Sequence, residues 1–174
     1  MDRRRLGYGV AVLAVLVVVS VALSGGAFTL LFGDGYDPNA EDDAGYDRTT
    51  VAVVDGETGA ELGSVEAAVA DTFGKRYLGL SRTDSLPENG GMLFVHDESS
   101  EYTYVMRGMS FGIDIVFAAP NGTITTIHEA PAPAPGEDGS DRAYTGDGRY
   151  VLEVNRGWTA DRGVEVGDEL VFEV

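Results

Sequence analysis

Residues 113–128 read IDIVFAAPNGTITTIH, two β-type runs separated by Pro120, Asn121 and Gly122. Asn-Gly accepts the positive φ that tight hairpin turns demand, so the spacing predicts two antiparallel strands, 113–118 and 123–128, joined at this turn. Working outward, runs of the same kind occur at 50–54, 62–69, 92–96, 102–107, 150–154 and 169–174. Several alternate: Tyr150, Leu152 and Val154 interleave with Val151 and Glu153, which suits a strand with one buried face. Two short helices interrupt the strands. The first opens at Asp71 as N-cap, runs through Phe73 and Tyr77, and closes at Gly79 in the left-handed cap position. The second is the turn 158–162, stopped by Gly163. Residues 131–148 (PAPAPGEDGSDRAYTGDG) read as a Pro/Gly-rich acidic loop, mobile in part. The pattern is that of a mainly β, meander-rich domain beginning near Thr49.

Upstream of that domain the chemistry changes. Arg3, Arg4 and Arg5 precede residues 6–32 (LGYGVAVLAVLVVVSVALSGGAFTLLF), which hold no ionisable side chain apart from Tyr8. As a helix this run would reach about 40 Å, more than the roughly 30 Å hydrocarbon core of a bilayer. The arginines are expected to stay in the cytoplasm, which places the remainder outside as a single-pass membrane protein. Ser24, Gly25, Gly26 and Ala27 are small residues of the kind that precede a signal-peptidase cut, so secretion after cleavage is the alternative; Phe28 to Phe32 continue the apolar run past them. Residues 33–48 are acidic, contain glycine and lack periodicity. The expected organisation is a membrane anchor or signal segment at 1–32, a flexible spacer at 33–48 and an exported β-rich domain at 49–174.

The 174 residues carry 29 acidic against 12 basic side chains, a formal charge of -17. That field repels nucleic acid and anionic lipid, and no nucleic-acid partner is expected. Molar salt shortens the Debye length to about 3 Å and removes most of the self-repulsion, so the charge reads as adaptation to high salt; ordinary acidity for solubility is the alternative. Cysteine is absent. Disulfides, thiolate metal sites, a cysteine nucleophile and a lipidated cysteine are thereby excluded.

From Val65 onward the chain presents, in order, Ala70-Asp71-Thr72, Arg76, Gly79-Leu80, Arg82, Leu86-Pro87, Gly91-Met92-Leu93-Phe94, Met106-Arg107, Asp114-Ile115, Ile127-His128, Tyr150-Val151-Leu152-Glu153, Gly157 and Gly167-Asp168. This succession resembles the domain-of-unknown-function family numbered 192. The resemblance spans essentially the whole exported domain and implies a small jelly-roll-like β-sandwich with one or two short helices, often behind a signal or anchor segment. It implies no established activity. Where the family tends to have Phe-x-Trp-Met-Lys-Asn-Thr, this chain has Tyr102-Thr103-Tyr104-Val105-Met106-Arg107-Gly108-Met109, and where the family tends to have Gly-Leu-Met it has Gly79-Leu80-Ser81.

The formal enzyme motif is Gly108-Met109-Ser110-Phe111-Gly112, with Asp114 and His128 following in the Ser, acid, His order of α/β-hydrolases. A nucleophile elbow must pass from strand into helix, whereas here a strand-like run follows, so a glycine-rich turn is the competing reading. His96 and His128 stand far apart with no metal-ligand spacing, and neither a metal nor a cofactor is expected. The loop acids Glu137, Asp138, Asp141 and Asp147 do not follow the regular calcium-loop spacing and read as a solvated loop. Arg76, Arg82 and Arg107 are informative because cations are scarce. If they converge with Asp114 and Glu153 they make an ion-pair network or a site for a carboxylate or sugar. Met106 belongs to a Tyr102, Tyr104, Met106 stripe at strand spacing, with core packing as its default role. His128 and Glu129 end a strand beside the proline-rich loop and are candidates to line a pocket there, with a structural or exposed histidine as the default reading. Asn121-Gly122-Thr123 is a glycosylation acceptor string on an exported hairpin, equally explained as turn chemistry.

The candidate binding residues are therefore Arg76, Arg82, Met106, Arg107, Asp114, His128 and Glu153. The expected function is a noncatalytic binding or accessory module tethered to the membrane through residues 6–32, recognising a small polar molecule or an envelope protein. The alternative is a hydrolase-type enzyme using Ser110, Asp114 and His128. A purely structural role in the envelope is the third reading.

Overall fold

A computed structural model describes residues 45–174. The apolar segment 1–32 and most of the spacer lie outside the described residues; among the described residues no helix is long and apolar enough to cross a membrane. Seven strands and two short helices follow one another: β1 (Arg48–Val54), β2 (Glu61–Ala70), α1 (Phe73–Leu78), β3 (Gly90–Val105), β4 (Ile113–Ala118), β5 (Ile124–Ala130), β6 (Ala143–Asn155), α2 (Trp158–Asp161) and β7 (Glu169–Val171).

The strands form one sheet in the order β5-β4-β6-β3-β2-β1-β7. Every pair is antiparallel except β2 with β3, which run parallel from Glu66↔Gly90 to Ala70↔Phe94. A parallel pair needs a crossover connection, and α1 with the loop behind it supplies one. The hairpin read from residues 113–128 is present. Gly122 has φ +91° and donates its N–H to Ala119 O at 2.9 Å. The same glycine helps to close the sheet on itself. Leu170 N donates to Gly122 O at 2.9 Å and Ile124 N to Asp168 O at 2.7 Å, so the two edge strands meet at one end. A Cβ at residue 122 would lie 2.4 Å from Leu170 O, which bars any other side chain.

The curled sheet buries an apolar cluster on each face. One contains Val51, Val65, Leu93, Val116, Leu152 and Trp158. The other contains Met92, Phe94, Met106, Ile113, Ile115 and Phe117, with Leu80 from the crossover. Strand alternation explains the division, because neighbours such as Met92 and Leu93 point to opposite faces.

Three expectations are revised. The runs 92–96 and 102–107 belong to one 16-residue strand, β3, whose register against β6 shifts between Val95 and Ser100. The acidic loop ends at residue 142, because Ala143 to Gly148 pair with the second half of β3. Helix α1 is capped by Thr72, whose hydroxyl accepts from Lys75 N at 3.3 Å, rather than by Asp71. Asp71 instead pairs with Lys75 Nζ at 2.9 Å one turn on. Gly79 closes the helix at φ +50°, as its position foretold.

Candidate functional site

Glu153 lies in the middle of β6, flanked in register by Met92 of β3 and Ile115 of β4. It therefore sits on the face of the sheet that carries the Phe94 cluster. Only 5% of its surface is exposed. Among the described residues no hydrogen bond or ion pair reaches the carboxyl, and burial alone pushes its pKa from 4.5 up to about 8. Most copies of this side chain are a neutral acid at pH 7.

Above it opens a cavity of about 670 Å³ between α1, the crossover loop and both halves of β3. Aromatic rings form part of its walls. Phe94 and Tyr104 meet edge to face with ring centroids 5.0 Å apart, and His96 stacks on Tyr102 at 3.6 Å. His96 Nε2 and Tyr104 Oη are 2.9 Å apart. Burial, aided by the nearby Arg76 charge, depresses His96 to about 4, so the ring is neutral at pH 7. Burial and the carboxyl of Glu153 push the Tyr104 phenol well above its ordinary range, and it keeps its proton.

Two arginines stand among the lining residues, and both are partly committed to main-chain carbonyls. Arg76 donates through Nη1 to Asp71 O at 2.6 Å and Val95 O at 2.8 Å. Arg107 donates to Tyr77 O at 2.7 Å, with its guanidinium 4.3 Å from the Tyr77 ring centre. Asp97 and Glu98 join them in the lining.

Of the residues singled out in the sequence, the fold brings Arg76, Arg107 and Glu153 to this cavity. Met106 is fully buried in the cluster beside it, consistent with core packing. Arg82 is exposed on the crossover loop and does not line the cavity. Asp114 is removed from the set by strand register, which sends its side chain to the opposite face. There it accepts from Gly157 N at 3.0 Å, Thr159 N at 3.0 Å and Thr159 Oγ1 at 2.6 Å, fixing the start of α2. His128 shares the face of Glu153 but lies on β5, with Nε2 2.9 Å from Thr145 O and its ring against Phe117 and Tyr144. Asn121 is exposed at the hairpin, where its Oδ1 accepts from Thr123 N at 3.2 Å.

The hydrolase constellation does not assemble. Asp114 and His128 occupy opposite faces of the sheet, and the Asp114 carboxylate is saturated by donors around α2. Residues 108–112 form a turn in which Gly108 N donates to Asp138 O at 2.8 Å, and strand β4 follows where a nucleophile elbow needs a helix. Ser110 is an exposed residue of that turn. Glu137 is held in an ion pair with Arg142 at 2.6 Å and accepts from Ala134 N. Among the described residues no group of three or more His, Cys, Asp or Glu side chains stands ready for a metal.

Sequence reasoning missed Phe94, His96 and Tyr77 as parts of the site and gave Tyr102 and Tyr104 to the core. The signal was present: aromatic side chains recur at alternate positions in both halves of β3, Phe94 and His96 in the first and Tyr102 and Tyr104 in the second. The two departures from the family pattern are also neighbours in space. Ser81 and Val105 both line the cavity, and a Cβ at Gly108 would lie 2.9 Å from Ser81 O.

Comparison with known proteins agrees with this architecture. A Sinorhizobium meliloti 1021 protein described as a "putative transcription regulator" is 28% identical, aligned over 73% of this chain and 95% of its own, with a TM-score of 0.66. A protein of unknown function from Novosphingobium aromaticivorans DSM 12444 shares the fold at 23% identity and TM-score 0.66, aligned over 77% of this chain and 91% of its own. No curated protein matches the sequence significantly. The model of the DUF192 family, described as an uncharacterized ACR, matches residues 54–172, from the end of β1 to just past β7, and the chain therefore belongs to that family.

Proposed function

We propose that the domain is a noncatalytic binding module that holds a small molecule in the cavity over Glu153, and that the full chain displays it on the outer side of a membrane. The observation that carries the binding role is Glu153 itself: a side chain 95% buried, without a partner among the described residues, at the edge of a roughly 670 Å³ space partly walled by aromatic rings. A buried acid left unpaired lowers stability, and apolar pockets with few convergent polar groups are where ligands bind. The absence of any assembled nucleophile and base among the described residues favours binding over turnover. The description of the Sinorhizobium relative is not carried to this chain, because a net charge of -17 opposes contact with a phosphate backbone.

The membrane tether rests on the sequence of residues 6–32 and the arginines before it. The acidic surface suits an environment of high ionic strength. A thermal-shift screen of the full chain in detergent at molar salt tests the binding role. The panel comprises sugars, nucleotides, carboxylates, amines and divalent ions, and a ligand that binds only the folded state raises the melting temperature. A rise that depends on residues of the cavity is expected, and a blank across the panel would contradict it. For the tether, protease added to intact cells is expected to remove the β domain; recovery of the whole chain from the soluble cytosolic fraction would contradict the topology.

A further inference from the structure

We propose that the ligand of this cavity is an organic cation, an alkylammonium or other protonated amine, with the Glu153 carboxylate as its counter-ion and the rings of Phe94, Tyr102 and Tyr104 as its walls. This rests on the binding role above and adds the charge of the ligand.

The Glu153 side chain is 95% buried, and among the described residues no cation neutralises its carboxyl; Arg76 and Arg107 are turned to the main-chain oxygens of Asp71, Val95 and Tyr77. A divalent metal ion requires several oxygen ligands, and no cluster of three acidic or imidazole groups exists among the described residues. An anionic ligand would face Asp97 and Glu98 in the lining, where Arg76 and Arg107 are already partly committed to main-chain oxygens. An ammonium ion needs one carboxylate and the faces of aromatic rings, which attract a cation through their quadrupole. Phe94, Tyr102 and Tyr104 provide those rings in the same cavity lining as Glu153. The negative field of the whole molecule also draws cations toward the site at low salt.

Binding a cation here converts the neutral acid to its carboxylate, and the proton leaves to solvent. The other titratable groups that face the space come from β3 and from the α1 side. From β3 they are His96, Asp97, Glu98, Tyr102 and Tyr104; from α1 they are Arg76 and Tyr77, with Arg107 beyond the end of β3. His96 is neutral and Tyr104 stays protonated at pH 7, so neither is the source of the proton.

The test is calorimetry on the full-length protein in detergent at pH 7, titrating choline and butylammonium against their uncharged counterparts, neohexyl alcohol and butanol. Each titration is run in phosphate and in Tris, whose different ionisation heats report proton release. The expected result is saturable binding of at least one ammonium probe, about tenfold or more tighter than its alcohol, with release of close to one proton. In Glu153→Gln the preference for the charged probe is expected to fall to near parity. Alcohol binding as tight as ammonium, or ammonium binding without proton release, would overturn the inference and leave the binding role standing. Failure of both ammonium probes overturns it as well. The thermal-shift panel then separates the two ideas: a sugar or carboxylate that stabilises the wild type but not a cavity variant preserves the binding role, and a blank removes both. Proton release is measured on the wild type, so the outcome does not depend on the variant folding.

Discussion

Two buried carboxylates lie one register step apart in this sheet, and they are treated in opposite ways. Ile115 of β4 pairs with Glu153 of β6, and Asp114, one residue earlier, pairs with Val154. That single step sends Asp114 to one face and Glu153 to the other. Asp114, fully buried, collects three donors and ties β4 to the start of α2. Glu153, almost as buried, collects none among the described residues and faces a cavity. A carboxylate saturated by protein donors has a structural task, while one left open beside an aromatic-lined space is available to something the protein does not itself supply.

The largest effect is expected from breaking the satisfied member of the pair. Asp114→Ala leaves two backbone N–H groups and a threonine hydroxyl without their acceptor, at a cost of about 3 kcal/mol or more. Chemical denaturation at molar salt measures the loss, and an unchanged midpoint would refute the structural role. Glu153 behaves differently. In the unfolded chain its carboxyl titrates at the ordinary 4.5, in the fold at about 8. Between those values the unfolded chain has released the proton and the folded one has kept it, so stability falls as pH climbs from about 4.5 to about 8. Glu153→Gln is expected to abolish this decline. It should be close to the wild type near pH 5 and exceed it by about 4 kcal/mol at pH 9, less where water enters the cavity. His96 acts in the other direction: the fold holds it at about 4 against 6.5 in the unfolded chain, so its contribution is lost as pH drops through that interval.

Smaller effects sharpen the comparison. Arg76→Ala removes two charge-assisted bonds to Asp71 O and Val95 O at the cavity and is expected to lower stability by about 1–2 kcal/mol. Circular-dichroism melts would read this as a modest fall in midpoint with an intact fold. Ser110→Ala, in the exposed turn after β3, is expected to change stability by less than about 0.5 kcal/mol and to leave ligand binding untouched. A loss of binding on that substitution would bring back a role for the serine that the geometry denies.

The sequence made legible what local patterns determine. Asn121-Gly122 announced the hairpin, Gly79 the end of α1, and alternation the buried faces. Glu153, Arg76 and Arg107 stood out because charges embedded in apolar or cation-poor stretches are conspicuous. The distinction between Asp114 and Glu153 was not legible, because each is an acid inside a β run. Only cross-strand register decides their faces, and no local pattern encodes it. The cavity was hidden for a related reason. It is made by the parallel β2/β3 crossover and the register shift between Val95 and Ser100, both long-range features. Reading Asp71 as the cap of α1 failed on a closer competition, since Thr72 is also a capping residue type and stands one residue nearer the helix, within reach of the Lys75 N–H.

The central claim is that the Glu153 carboxyl is buried beside the cavity with no partner among the described residues. Carbon-detected NMR on selectively labelled glutamate tests it most directly, by following the Glu153 side-chain carboxyl from pH 3 to pH 10, with the Glu153→Gln variant fixing the assignment. The account predicts a midpoint near 8, well separated from the ordinary carboxylates. A midpoint at the ordinary 4.5 or below would mean that water or a donor already satisfies the group, and the site would lose its defining feature.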